Sequence, residues 1–190
     1  MRLFFAVELP SEVQSVLGRL GSKDDNRDYR WTDPSLLHVT LAFLGEQPPE
    51  KLDVLQQVGA AAASASHTGT LRLGSAGSFG ARRAPRVLWV DLTGDLDALI
   101  GLQQQVATGL RDAGFAVEDR PFRPHITLAR RRETAQGGLP VGWPPATITA
   151  PTFPLNQLKL MQSLLSPRGT TYTPVFEFPI GGSRRASRAL

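Results

Sequence analysis

Two stretches of this chain combine residue types and spacing suited to chemistry: His38-Val39-Thr40-Leu41 and His125-Ile126-Thr127-Leu128. In an extended strand residues i and i+2 face the same side, so His38 projects with Thr40 and His125 with Thr127, while their aliphatic neighbours turn the other way. The apolar face can dock on helices, and the polar face then presents imidazole and hydroxyl side by side. Two imidazoles with no cysteine or carboxylate in the same motifs suit acid–base catalysis, one deprotonating a nucleophile and the other protonating a departing oxygen. The two threonine hydroxyls can donate to the non-bridging oxygens of a phosphodiester, where charge stabilisation supplies much of the acceleration of phosphoryl transfer. A bell-shaped pH profile near neutrality is expected. A metal site is the first chemical rival because histidine is a common ligand, but Asp33, Glu46 and Glu133 lie outside the motifs and the ligand count is poor. Neither a metal nor a cofactor is expected.

The rest of the chain narrows the choice further. There are only three histidines and no cysteine, which excludes thiol nucleophiles, disulfide scaffolds and thiolate metal centres. The third histidine, His67, sits in Ala-Ser-His-Thr-Gly with no partner motif and reads as a surface residue. At 190 residues, 41% hydrophobic and 20% charged, the chain is long enough for a sizeable core in one domain or in two small lobes sharing it. The net charge of +4 rests mainly on arginine, because Lys23, Lys51 and Lys159 are the only lysines, and arginine suits bidentate contact with phosphate. Arg120, Arg123, Arg130, Arg131 and Arg132 form a run with no acidic residue among them, which favours an anionic ligand. Arg130 is the candidate substrate contact. It follows His125 at the interval by which Phe43 follows His38, and strict strand alternation would turn both away from the histidine face. Reaching the phosphate therefore requires a strand end or a bulge at Arg130, whereas the same parity assigns Phe43 to the core rather than to a base-stacking role. Trp31, Phe79 and Tyr172 could stack on a nucleobase, and Arg82 and Arg83 could touch an RNA backbone.

These side chains need elements to hold them. A strand is expected over 2–9, apolar on both faces and ended by Pro10, followed by a helix capped by Ser11 and closed at Gly21. After a polar loop at 22–30 comes a strand over 36–45, then a helix over 49–66 whose Ala/Ser end could continue or fray. Leu71 and Leu73 suggest a short strand before a Gly-rich loop or hairpin at 74–84. A strand at 87–92, an amphipathic helix ending at Gly114 and a strand at 124–130 come next. The segment 136–151 reads as a connecting loop, and two strands joined by a Ser166-Pro167-Arg168-Gly169 turn close the fold. Residues 1–182 read as a single bilobal domain, and the basic tail at 183–190 as disordered. The short run from Leu3 to Val7 is neither a membrane span nor a signal peptide, so a cytoplasmic protein is expected, with a monomer as the default.

The chain also repeats itself. Arg2-Leu3-Phe4-Phe5-Ala6-Val7-Glu8-Leu9 parallels Arg86-Val87-Leu88-Trp89-Val90-Asp91-Leu92, and each precedes a helix, a polar stretch and a strand reading His-aliphatic-Thr-Leu-Ala. Duplicated units of this kind pack about a pseudo-twofold axis and direct their related polar faces into one shared cleft.

With both His-x-Thr motifs placed in such a repeat, the chain resembles the two-histidine phosphoesterase superfamily, and in particular its LigT-like branch of RNA 2′,3′-cyclic phosphodiesterases, also called 2′–5′ RNA ligases. Supporting segments are Arg2-Leu3-Phe4-Phe5-Ala6, Arg30-Trp31, Leu37 to Gly45, Arg86-Val87-Leu88-Trp89, Phe122 to Arg130, and Gln162-Ser163 with Gly169 and Tyr172. The resemblance implies a bilobal α+β fold with two antiparallel sheets flanking a central cleft. It implies hydrolysis of RNA or nucleotide 2′,3′-cyclic phosphates to 2′-phosphates without a metal. By analogy His125 would be the proton acceptor that activates water and His38 the proton donor, although the pseudo-symmetry makes the opposite assignment equally legible. Thr40 and Thr127 would hold the phosphate, and Arg130, Phe43 and Tyr172 would contact substrate. Other RNA ends such as 2′–5′ linkages, or RNA-end binding without turnover, are the alternatives.

Overall fold

The computed structural model describes residues 1–21, 28–81, 83–166, 169–181 and the backbone of 187–188. Most of the polar loop at 22–30, Arg82, the Pro167-Arg168 turn and most of the basic tail lie outside the described residues. In the tail, Ser187–Arg188 forms a short strand paired with Glu177 and Phe176.

The first unit runs from β1 (Arg2–Glu8) through α1 (Ser11–Gly21) and β2 (Tyr29–Trp31) to β3 (His38–Glu46). The second, reached through α2 (Leu52–Ser64) and β4 (Gly69–Ala81), comprises β5 (Ala84–Gly94), α3 (Leu96–Asp112) and β6 (His125–Arg131). Strands β7 (Phe153–Leu155), β8 (Gln157–Ser166), β9 (Gly169–Pro179) and β10 (Ser187–Arg188) follow. All pairings are antiparallel, in the order β10-β9-β8-β1-β3-β6-β5-β4-β7, with β2 on the edge of β6. The two expected sheets thus exist as two halves of one curled sheet. They meet where β3 and β6 touch through the single register pair Val39 and Ile126, the pseudo-twofold point of the duplication. The fold is α+β and bilobal, as expected.

Hydrophobic pattern explains which face is covered. Leu3, Phe5 and Val7 of β1, Val39 and Leu41 of β3, and Ile126 and Leu128 of β6 belong to one buried cluster. The same cluster takes in Val13 and Leu17 of α1, Leu55 and Val58 of α2, and Leu99, Leu102, Val106 and Leu110 of α3. These helical spacings form the apolar stripes that a sheet face can cover. The Ala-rich end of α2 continues as helix, because Ala62 and Ala63 are buried where larger side chains would hold the helix off the sheet. Burying this face leaves the opposite one, with both His-x-Thr pairs, open.

Local sequence shifts several boundaries. The strand expected from Leu36 begins at His38, because Pro34–Leu36 forms a tight 3-10 turn in which the Asp33 carboxylate accepts the Ser35 N–H at 2.9 Å. The helix expected to be capped by Ser11 starts at that residue, with the Pro10 carbonyl accepting the Gln14 N–H. The Gly-rich segment at 74–84 is mostly strand: β4 continues to Ala81, its glycines leaving room for Trp89 and Asp91 of β5. The three-residue strands β2 and β7 are too short to show any period. Among the described residues no helix is long and apolar enough to cross a membrane.

Candidate active site

Antiparallel contact at Val39 and Ile126 sets His38 and Thr40 of β3 against Thr127 and His125 of β6 on the open face. Backbone carbonyls orient both rings alike. His38 Nδ1 lies 2.7 Å from the Leu36 carbonyl and His125 Nδ1 lies 2.7 Å from the Arg123 carbonyl. A carbonyl only accepts, so each Nδ1 carries the proton and each neutral ring offers the lone pair of Nε2. On His38 that lone pair accepts from the Thr40 hydroxyl at 2.9 Å.

Aromatic rings brace each imidazole. Phe4 lies 4.9 Å from the His38 ring, and Tyr172 meets it edge-on at 5.2 Å. Across the axis Phe79 meets His125 perpendicularly at 5.1 Å and packs on Trp89 at 5.0 Å. Burial lowers the pKa of His38 below the ordinary imidazole value. The Leu36 carbonyl and the Glu8 carboxylate raise it, whereas the positive charge of Arg130, and that of His125 when protonated, lower it further. Free His38 is therefore biased toward the neutral ring.

Two bulges decide what else enters the cleft. In the β5–β6 ladder Leu88 pairs with Ala129 but Trp89 with Thr127, leaving Leu128 as an extra residue. In the β1–β3 ladder Phe5 pairs with Ala42 but Ala6 with Thr40, leaving Leu41 extra. Each bulge lies three residues beyond its histidine and reverses the alternation after it. Arg130 thereby comes to line the cleft with His125 and Thr127, by the device its position required. The same reversal overturns the parity argument for Phe43, which is 53% exposed beneath the Arg2 guanidinium rather than in the core.

The cleft encloses about 680 Å³ and is lined by Thr40, Phe43, Phe79, His125, Thr127 and Arg130, with Arg86 and Arg123 adding positive charge around it and Arg120 paired there with Glu118 at 2.8 Å. Neither Tyr172 nor His38 is on this wall: the two rings pack on each other and on Phe4, and His38 meets the cleft through its Nε2 bond to Thr40. Trp31 packs against Trp143 away from the cleft, and His67 is exposed. Among the described residues no three His, Asp or Glu side chains converge as metal ligands.

A family model described as the 2′-5′ RNA ligase superfamily matches residues 9–166 of this chain. The chain belongs to that superfamily. A superfamily relative from Thermus thermophilus, named RNA 2′,3′-cyclic phosphodiesterase, is 34% identical, with the match covering 100% of this chain and 95% of the relative. A protein of the same name from Geobacillus stearothermophilus is 31% identical over 95% of this chain, which spans 57% of that longer relative. Among solved structures, a Thermus thermophilus protein superposes with a TM-score of 0.82 at 31% identity, covering 97% of this chain and 100% of the other. Escherichia coli LigT complexed with 3′-AMP gives 0.75 at 28% identity, covering 95% and 98%.

Sequence reasoning about this superfamily member passed over Glu8, Lys159 and Glu177. These form an ion-pair group beside His38, with Lys159 only 8% exposed, bonded to Glu8 and 2.8 Å from Glu177. One signal was available: Glu8-Leu9 and Asp91-Leu92 occupy the same place in the repeated strands, and in the fold they stand opposite His38 and His125.

Proposed function

We propose that the chain hydrolyses 2′,3′-cyclic phosphate ends of RNA or nucleotides to 2′-phosphates by acid–base catalysis between His125 and His38, without a metal. The observation that carries this reading is the pair of Nδ1–carbonyl bonds, which gives His125 in the cleft and His38 beside the cleft's Thr40 the same tautomer, with Nε2 of each ring as the atom that exchanges a proton. The names of the relatives support the same substrate class. His125 Nε2 takes a proton from water as the water oxygen bonds to phosphorus. The bond from phosphorus to O3′ breaks, and O3′ takes the proton of His38 Nε2, leaving a 3′-hydroxyl and a 2′-phosphate. Afterwards His125 holds a proton and His38 lacks one, and exchange with solvent restores both.

Thr40 couples binding to this proton inventory. While His38 is neutral, the Thr40 hydroxyl hydrogen points at Nε2. Once His38 is protonated, Nε2–H donates to the Thr40 oxygen and frees that hydrogen for a phosphate oxygen. The anionic substrate thus draws the proton onto His38 that the donor role needs, against the bias imposed by burial. Thr127 and Arg130 hold the remaining charge, and Phe43 offers an exposed aromatic face to the nucleoside. Tyr172 acts on the substrate only through His38, whose ring it braces. The enzyme acts as a cytoplasmic monomer.

The test offers a nucleoside 2′,3′-cyclic phosphate, a cyclic-phosphate RNA and a 2′–5′-linked dinucleotide to wild type, His38→Ala and His125→Ala, with and without a chelator. Turnover of the cyclic substrates to 2′-phosphates, lost by about 10²–10⁴-fold in either variant and unaffected by chelator, is expected. Full activity in one variant would refute the two-histidine mechanism. Binding without turnover would make the site a recognition module.

A further inference from the structure

The pseudo-symmetry that makes the two histidines alike is broken by what surrounds their partner carboxylates. Glu8 is the register partner of His38 and Asp91 that of His125. Asp91 is turned to the neighbouring main chain, where its Oδ1 accepts the Ser75 N–H beside Gly74, a residue whose missing Cβ leaves the space it occupies. Among the described residues Glu8 has no such backbone bond. It is bonded instead to Lys159 of β8, which stands opposite Ala6 on one side and Glu177 on the other. Glu177 is tied in turn to Gln157, whose Nε2 donates to Oε2 at 3.2 Å. Alternation puts Phe4, Ala6 and Glu8 of β1 and Lys159 and Met161 of β8 on the histidine side of the sheet, where Phe4, Ala6 and Met161 pack together under Tyr172.

We propose that Glu8, held by Lys159 and Glu177, is a positioning residue for His38: it favours the protonated imidazole and so distinguishes His38 as the proton donor of the pair. The group carries one positive and two negative charges, and Glu8 is the member of it whose charge bears on His38. Burial weakens the charge of Lys159, but its bonds to Glu177 and Glu8 outweigh that and hold the ammonium protonated. The other charged and titratable groups that bear on His38 are Arg130 and His125 from β6 and Tyr172 from β9. Arg130, and His125 whenever it is protonated, oppose the proton on His38, which leaves Glu8 as the carboxylate that favours it. An acidic residue pairs with the histidine in both units, but among the described residues only the first unit has a lysine partner that keeps its carboxylate in place without taking it into the backbone. The donor part of this inference rests on the reaction proposed above.

The experiment follows the His38 ring by NMR through a pH titration of the intact protein in wild type, Glu8→Gln, Glu177→Gln and Lys159→Arg, alongside the pH dependence of kcat on a nucleoside 2′,3′-cyclic phosphate. Glu8→Gln is expected to move the His38 midpoint to lower pH, leave that of His125 in place, and lower kcat about tenfold, a fraction of the ~10²–10⁴ available from a general acid. Glu177→Gln is expected to move it less, and Lys159→Arg to keep the wild-type midpoint. An unmoved midpoint in Glu8→Gln, or equal shifts in Glu8→Gln and Glu177→Gln, would overturn the proposal. The titration needs no substrate, so its failure is separate from the failure of the reaction, which would show as inactive wild type.

Discussion

Substituting alanine for Gly77 tests whether the aromatic stack holds His125. A Cβ at Gly77 would stand 2.9 Å from Cε2 of Trp89, with two further indole atoms closer still. Ordinary carbon contacts need about 3.5–4.0 Å, so the indole must retreat by about 1 Å. Trp89 packs on Phe79 at 5.0 Å, and Phe79 meets His125 at 5.1 Å. Overpacking of this kind costs about 1–3 kcal/mol, which for a chain of this size lowers Tm by about 2–12 °C. If the displacement reaches His125, a misplacement near 1 Å costs up to ~10²-fold in rate. Gly59→Ala is the control. Its Cβ would press on Phe178, with Cδ2 at 3.0 Å, on the helix side of the sheet away from the cleft. Both variants are expected to lose Tm in a thermal melt, but only Gly77→Ala to lose kcat/KM on a cyclic phosphate well below its melt. Full kcat/KM in a destabilised Gly77→Ala would refute the claim that the stack positions His125.

Three further outcomes are expected. Arg130→Ala lowers kcat/KM on cyclic phosphate about 10- to 150-fold, from loss of a charged hydrogen bond worth about 1.5–3 kcal/mol, with Tm little changed because the side chain is exposed; equal activity in steady-state assays would remove Arg130 from the site. Tyr29→Phe leaves the buried Pro85 carbonyl without its 2.9 Å donor and costs about 1–3 kcal/mol in denaturant unfolding, with no effect on kcat. Because burial holds folded His38 below the ordinary imidazole value of 6.5, the unfolded chain binds this proton more readily. Its contribution to stability is therefore complete above pH 6.5 and is lost as pH falls through the folded value. Melts of His38→Gln should show a flatter decline of Tm on the acid side of pH 6.5 than wild type, and an identical decline would count against the buried neutral ring.

The alternation of His38 with Thr40 and of His125 with Thr127 was legible in the sequence, because a strand's period of two is local geometry that needs no partner. The same holds for the helical stripes of α1 and α3 and for the repeat, which together specify two related units and a shared face. Local rules stop where pairing between strands intervenes. The bulges at Leu41 and Leu128 arise from register between strands, and they place Phe43 and Arg130 in the cleft against the parity of their own sequence. The Arg130 contact could be anticipated only as a condition, and Phe43 meets the same condition through the bulge at Leu41. Lys159 and Glu8, 151 positions apart, meet because β8 and β1 are neighbours in the sheet. Such a contact has no period or motif to announce it. The chain alone therefore determines which groups carry protons and which face they share, and only the folded sheet decides that one imidazole stands beside a lysine-held carboxylate while the other does not.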